Sequence, residues 1–145
     1  MVGRPAPVLR LKTLGGGELR VPAQGRVSLV VFWATWCAPC RAEAVWLKRL
    51  ERDYHAQGLR IEGLSMDDSP APAERFQRRE AINYPLAMAD VATARAFGGV
   101  LGLPALFLVG RDGRVLWQGR GEPDRKALLK KILAALARAS PPSRT

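Results

Sequence analysis

A nearly unbroken apolar run, Val27 to Trp33, ends four residues before the chain's two cysteines, and a long helical pattern starts directly after them. Such a run, lacking polar alternation, reads as a strand buried on both faces, which a parallel or mixed sheet with helices on each side provides. The connecting segment is Trp36-Cys37-Ala38-Pro39-Cys40. Two thiols three apart at a helix start share one face and can bridge with acceptable geometry. A bridge closing so short a loop restricts the unfolded chain very little, so it is suited to being made and broken rather than to holding a fold together. Unpaired backbone N–H groups and the positive dipole end favour an anion at the helix start, which makes Cys37 the attacking thiolate. Cys40, one turn inside, is shielded and placed to resolve a mixed disulfide. Pro39 falls in the first turn, where its missing N–H costs nothing.

The 145 residues and a hydrophobic fraction of 48% fit one domain with a real core, assigned to residues 1–139, followed by a flexible tail at 140–145 around Ser140-Pro141-Pro142. The formal charge of +10 invites a nucleic-acid reading, but the 23 Lys and Arg residues are scattered and form no block. Local groups at Arg75, Arg78, Arg79 and at Lys126, Lys130, Lys131 fall on polar helix faces; solvated faces are the simplest account, an acidic protein partner or anionic membrane surface the next. No apolar run approaches the roughly 18 residues of a membrane span, and Met1 to Pro7 lacks a signal-peptide core. The sequence as it stands reads as soluble; a leader or anchor outside it would leave the compartment open.

Along the chain, strands and helices alternate. Val8–Leu11 and Glu18–Val21 flank Gly15-Gly16-Gly17 as an opening hairpin. After Val27–Trp33 comes a helix from Arg41 to Ala56, with Ala42, Val45, Trp46, Leu50 and Tyr54 on one face and Gly58 as its stop. Leu59–Ser65 reads as a second buried strand. Ser69 caps a helix running to about Glu80, with Pro70 at its first position. Asn83-Tyr84-Pro85-Leu86 turns into a short extended piece, and a short helix spans about Asp90 to Phe97. Ala105–Val109 and Arg114–Gln118 form a hairpin across Asp112-Gly113. A last helix, about Asp124 to Arg138, places Leu128, Leu129, Ile132, Leu133 and Leu136 on one face.

Val30 to Glu43, VVFWATWCAPCRAE, resembles the thioredoxin superfamily and, within it, the TlpA/ResA-like bacterial thiol–disulfide oxidoreductases. Asp67-Asp68 resembles the end of that group's second core strand, Ser69 to Leu86 its extra helix before a Tyr-Pro turn, and Asp112-Gly113-Arg114-Val115 its last hairpin. Gly102-Leu103-Pro104-Ala105 resembles the cis-proline loop that faces the cysteines. The similarity runs from about Ala6 to Leu136. It implies an α/β thioredoxin-like fold: a central mixed β-sheet flanked by helices, with an N-terminal β-hairpin and an extra helix inserted after the second core strand. It further implies Cys37 as attacking and Cys40 as resolving cysteine, Trp36 as an aromatic shelf, and Leu103 and cis-Pro104 as a substrate-pairing loop. Trp36, Ala38, Pro39, Leu103 and Pro104 are thus the expected substrate-binding residues. Glu43 matches the acidic residue that this group places beneath the cysteines. It lies three positions after Cys40 on the same helix face, suited to take the proton that Cys40 must lose.

Two departures stand out. Cytosolic thioredoxins carry a buried Asp where this chain has Val31, which shifts acid–base work to Glu43, and a helix-kinking Pro where it has Val45. The resemblance implies a reductase in the periplasm or another extracytoplasmic space, in cytochrome c maturation or related envelope tasks, with a membrane tether outside this sequence compatible and a cytoplasmic place not ruled out. Expected partners are disulfide-bearing or dithiol protein substrates and an upstream electron-donating thiol protein; a monomer without cofactor, metal or nucleic acid is expected. A zinc site lacks ligands beyond His55, itself a surface residue on this reading. A peroxiredoxin-type peroxidase needs Pro and Thr where Val30 and Ala34 stand, and a non-catalytic binding module on the same scaffold is the remaining alternative. Trp33, Trp46, Phe107 and Trp117 read as packing residues, and a solvated Glu43 is the plain alternative to a catalytic one. In the reduced protein, iodoacetamide is expected to label Cys37 well before Cys40. Mass-spectrometric mapping of the first alkylated site checks this, and prior labelling of Cys40 would reverse the two roles.

Overall fold

A computed structural model describes residues 1–138; the proposed tail at 140–145 lies outside the described residues. Strands β1 (Leu9–Lys12) and β2 (Glu18–Val21) form an antiparallel hairpin, one residue later at its start than the sequence suggests. β3 (Val27–Trp33) leads through the cysteine turn into helix α1 (Ala38–Tyr54), and β4 (Leu59–Ser65) into α2 (Pro70–Arg79). β5 (Leu86–Met88), α3 (Val91–Ala96), β6 (Ala105–Val109), β7 (Val115–Arg120) and α4 (Arg125–Ala137) complete the chain. The main sheet has the order β5-β4-β3-β6-β7, with β3, β4 and β5 parallel and β6 and β7 antiparallel to their neighbours. The mixed sheet, hairpin and inserted α2 are those the resemblance implies.

β3 is central, and its side chains alternate between two cores. Val27, Leu29, Val31 and Trp33 pack with α1, α2 and α4 through Leu47, Phe76 and Ile132, while Val30 and Phe32 pack with Phe97 of the α3 end and with Val21 of the hairpin. Phe32, Phe97 and Phe107 meet edge-on or tilted, with centroids 5.1 to 6.0 Å apart. That double demand explains the near absence of polar residues from Val27 to Trp33.

Several local expectations need correcting. The buried face of α1 consists of Cys40, Glu43, Ala44, Leu47, Leu50 and Glu51, whereas Ala42 and Val45 are exposed and Trp46 and Tyr54 only partly covered. The apolar stripe of the sequence runs through Ala42, Val45 and Trp46, but the face that packs carries two carboxylates, so it is rotated. α1 also starts earlier, with Cys37 as its N-cap, and ends in a 3-10 turn, His55–Gln57, before Gly58 takes φ of 113°. On α4 the buried residues are Leu128, Ile132 and Ala135, and Leu133 is exposed. β7 continues through Gly119 to Arg120 because Arg120 pairs with Ala105; a Cβ at Gly119 would press on the Trp117 ring at 2.7 Å. Ser69 precedes α2, but its hydroxyl makes no capping bond. Val21–Pro22 is a cis peptide that the sequence did not announce.

The sheet's edges are covered by the chain's own N-terminal segment. On the β5 side, Leu14 N–H donates to Leu86 C=O at 2.9 Å and Thr13 bridges Ala87. On the β7 side, Gly3 N–H donates to Val115 C=O at 2.8 Å and Val115 N–H to Arg4 C=O at 2.9 Å. β5 is too short to reach the start of β4. There the Glu51 carboxylate of α1 accepts from Ile61 N–H at 2.9 Å, so a side chain stands in for a missing strand.

Glu62, also fully buried, lies on the opposite face of β4 and accepts from Ala23 N–H at 3.2 Å through one oxygen. Burial pushes its carboxyl from 4.5 up to about 8, opposed by Ser28, Ala23 and Arg60. A group whose folded value is raised stabilises the fold fully below its unfolded value, and that contribution disappears as pH climbs through the folded one. The fold should therefore lose on the order of 5 kcal/mol between 4.5 and about 8 from this residue alone. Glu62→Gln is expected to flatten that pH dependence and to raise Tm relative to wild type at mildly alkaline pH. Thermal melts across the window check it, and parallel curves for the two proteins would refute it.

Candidate active site

Three residues connect β3 to Cys37, and every polar group of Thr35 among them is held. Asp67, just past the end of β4, accepts from Thr35 N–H at 3.2 Å and from Thr35 Oγ1 at 2.7 Å, and Ser65 Oγ donates to the same carboxylate at 2.6 Å. Arg41 Nη1 donates to the Thr35 carbonyl at 2.7 Å. Met66 N–H adds a bond to Trp33 C=O at 2.7 Å. This clamp fixes where the chain turns from strand to helix, and hence where the cysteines stand.

Cys37 caps α1, its Sγ accepting from Cys40 N–H at 3.3 Å. The two cysteines are joined as a disulfide with Cα atoms 5.3 Å apart. Cys37 is 7% and Cys40 4% exposed, while Trp36 beside them is 68% exposed and Ala38 and Pro39 also face solvent. A thiolate on Cys37 would keep that N–H donor and the helix dipole, both of which favour the anion.

The Leu103–Pro104 peptide is cis. Pro104 is buried and shares a small cavity with Cys40 and Glu43, and Leu103 is half-buried. Leu103 makes no backbone hydrogen bond among the described residues. The structure thus gathers Cys37, Cys40, Glu43 and Pro104, with Trp36, Ala38, Pro39 and Leu103 forming the rim.

Glu43 is fully buried, which removes the solvated alternative. Its Oε1 accepts from Arg125 Nη2 at 3.0 Å, and Oε2 has no partner among the described residues. Arg125, the first residue of α4, also lies 5.5 Å over the Trp46 ring. Sequence reasoning missed Arg125, which is 82 positions from its partner. One signal was present: an arginine at a helix N-terminus opposes the dipole and needs another reason to be there. In the sequence Asp67 reads only as part of a strand end, and nothing local marks it as the acceptor for Thr35. No group of three or more metal-ligating side chains occurs among the described residues.

The Redoxin family model matches residues 1–136. The chain belongs to the redoxin family. It is 35% identical to the thiol:disulfide interchange protein HelX of Rhodobacter capsulatus, over 94% of this chain and 78% of that protein. It is 29% identical to the thiol-disulfide oxidoreductase ResA of Bacillus thuringiensis subsp. konkukian, over 90% of this chain and 78% of the relative. Among solved structures, a thioredoxin-family thiol:disulfide interchange protein from Chlorobium tepidum TLS superposes with a TM-score of 0.84 at 26% identity, covering 92% of this chain and 96% of that one. Within the family the chain is a ResA-like, thioredoxin-fold disulfide oxidoreductase.

Asp67→Ala leaves Thr35 N–H and Ser65 Oγ without their acceptor, at a cost of about 2–3 kcal/mol. Denaturant unfolding should show that loss together with slower disulfide exchange, because the turn presenting Cys37 loosens. Unchanged exchange in a destabilised variant would show that the clamp serves stability alone.

Proposed function

We propose that this oxidoreductase works as a protein-disulfide reductase of the bacterial envelope, with Cys37 attacking, Cys40 resolving and Glu43 accepting the Cys40 proton. The observation that carries this reading is a helix-capping Cys37 beside a buried Cys40, in a cavity that also holds cis-Pro104 and a buried carboxylate. The Cys37 thiolate attacks one sulfur of a client disulfide, and the other client sulfur leaves as a thiolate. Cys40 then gives its proton to Glu43 and attacks the Cys37 sulfur. The Cys37–Cys40 bond forms as the Cys37–client bond breaks, and two electrons have passed to the client. An upstream dithiol protein returns the pair to its reduced form.

Client selection is assigned to the rim. The free backbone of Leu103 supports pairing with an extended client segment, the main-chain mode of strand addition. Trp36 offers a wide, exposed apolar surface next to the reactive sulfur, with Ala38 and Pro39 beside it. The resemblance to TlpA/ResA-like proteins supports an extracytoplasmic place and a monomeric enzyme. Among the described residues no helix is long and apolar enough to cross a membrane. The basic groups at Arg75, Arg78, Arg79 and Lys126, Lys130, Lys131 are exposed, as a solvated face requires.

Insulin reduction by dithiothreitol should be accelerated by the wild type, abolished in Cys37→Ser and several-fold slower in Pro104→Ala. No acceleration by the wild type would leave a binding module as the better reading. Glu43→Gln should slow decay of a trapped Cys37 mixed disulfide about a hundredfold near neutral pH, the low end of the usual scale for a lost proton acceptor. Cys37 alkylation measured on the same samples should be nearly unaffected. Equal decay rates across mildly acidic to mildly alkaline pH would remove Glu43 from the mechanism.

A further inference from the structure

A fully buried carboxylate in an apolar site stays charged only with a partner, and Glu43 has one cation within reach. Arg125 donates to its Oε1 at 3.0 Å from the other side of the α1–α4 contact. The remaining residues around the Cys40 cavity supply no competing charge. It is lined from α1 by Cys40, Ala44 and Leu47, from β3 by the uncharged Val31 and Trp33, and from the turn before β5 by Tyr84. Burial raises the ionisation of Tyr84 well above the ordinary tyrosine range, so it stays neutral.

We propose that Arg125 is a positioning residue for the resolving step, holding Glu43 as a carboxylate with Oε1 engaged and Oε2 left to receive the Cys40 proton. The inference rests on the Glu43 role proposed above and names the group that makes that role workable.

Three observations support it. The helix that carries Arg125 does not need it: α4 is already capped by Asp124, which accepts from Ala127 N–H at 3.1 Å, and a cation in a first turn opposes the dipole. The pair is asymmetric, since Arg125 remains 46% exposed while Glu43 is dry. The cation therefore keeps much of its hydration and the carboxylate gains a counter-charge. The Trp46 ring, 5.5 Å from the guanidinium carbon, orients the group by a contact that suits a flat cation.

Without Arg125, Oε1 has no partner in an apolar site, and the carboxylate that must take the Cys40 proton is left uncompensated and out of position. The balance of the step is unchanged: one proton moves from Cys40 Sγ to Glu43, the Cys37–Cys40 bond forms, and the Cys37–client bond breaks with the client leaving as a thiolate.

The test is the decay of a mixed disulfide between Cys37 and a single-cysteine peptide, followed in wild type, Arg125→Met, Arg125→Lys, Glu43→Gln and the Glu43→Gln/Arg125→Met double variant. Arg125→Met should resolve about tenfold more slowly near neutral pH and recover toward wild type as pH rises and Cys40 ionises into solvent. Arg125→Lys should restore most of the rate, and Arg125→Met should add nothing once Glu43 is Gln. Slow Glu43→Gln with wild-type Arg125→Met would overturn the Arg125 inference and leave the Glu43 role standing. Wild-type rates in Glu43→Gln would overturn the Glu43 role itself. Further slowing of Glu43→Gln by Arg125→Met, or no rescue by Lys, would mark Arg125 as structural only and overturn the inference. Should Arg125→Met melt below the assay temperature, Arg125→Gln, which keeps bulk and a donor without the charge, takes its place under the same criteria.

Discussion

The burial of β3 on both faces is the constraint from which the remaining architecture follows. A strand with no solvent face must have helices or strands over each side and a neighbour at each edge, and it receives all of these from β4, β6, the helices α1, α2 and α4, and the α3 and hairpin side. Because the strand cannot slide without moving apolar side chains to the wrong layer, its end is fixed in space. The cysteines follow four residues later, and Thr35 is tied to Asp67 and Arg41 on the way. The reactive pair is thus placed by packing first and by polar bonds second.

Glu43, Glu51 and Glu62 are all buried, and their surroundings give them three different functions. Glu51 substitutes for a strand by accepting from Ile61 N–H, and its other oxygen meets His55 Nδ1 at 2.9 Å. Glu62 is driven toward its neutral form because burial outweighs its bonds to Ser28 and Ala23 and the nearby Arg60. Glu43 alone meets a guanidinium. One residue type thus stands as a backbone acceptor, a core group driven toward its neutral form and an ion-paired carboxylate, and environment alone makes the difference.

Much of this fold was legible in the sequence where one periodicity dominates. Val27–Trp33 and Leu59–Ser65 read to the residue, since double burial leaves a run with hardly any polar interruption. The redox pair and the proline loop were legible because they are compact motifs. The buried face of α1 was legible only in part: the resemblance placed Glu43 beneath the cysteines without naming Arg125, and Glu51 looks solvent-facing until Ile61 N–H is known, both partners being contributed by other segments. The same holds for β7, which runs past Gln118 to Arg120 because Arg120 pairs with the distant Ala105. Local patterns report what a segment prefers; they are silent about partners contributed by other segments.

The covered edges of the sheet have a bearing on how such a protein meets other chains. An exposed row of backbone donors and acceptors is a template for any extended peptide, and it invites self-association. Here the segment Gly3–Arg4 occupies one margin and Thr13–Leu14 the other, while the Glu51 carboxylate blocks the stretch that β5 leaves bare. Leu103, next to the cysteines, is by contrast left unengaged among the described residues. Unwanted strand pairing is thereby discouraged along the flanks, and the unpaired main chain that remains at Leu103 lies in the loop beside the cysteines.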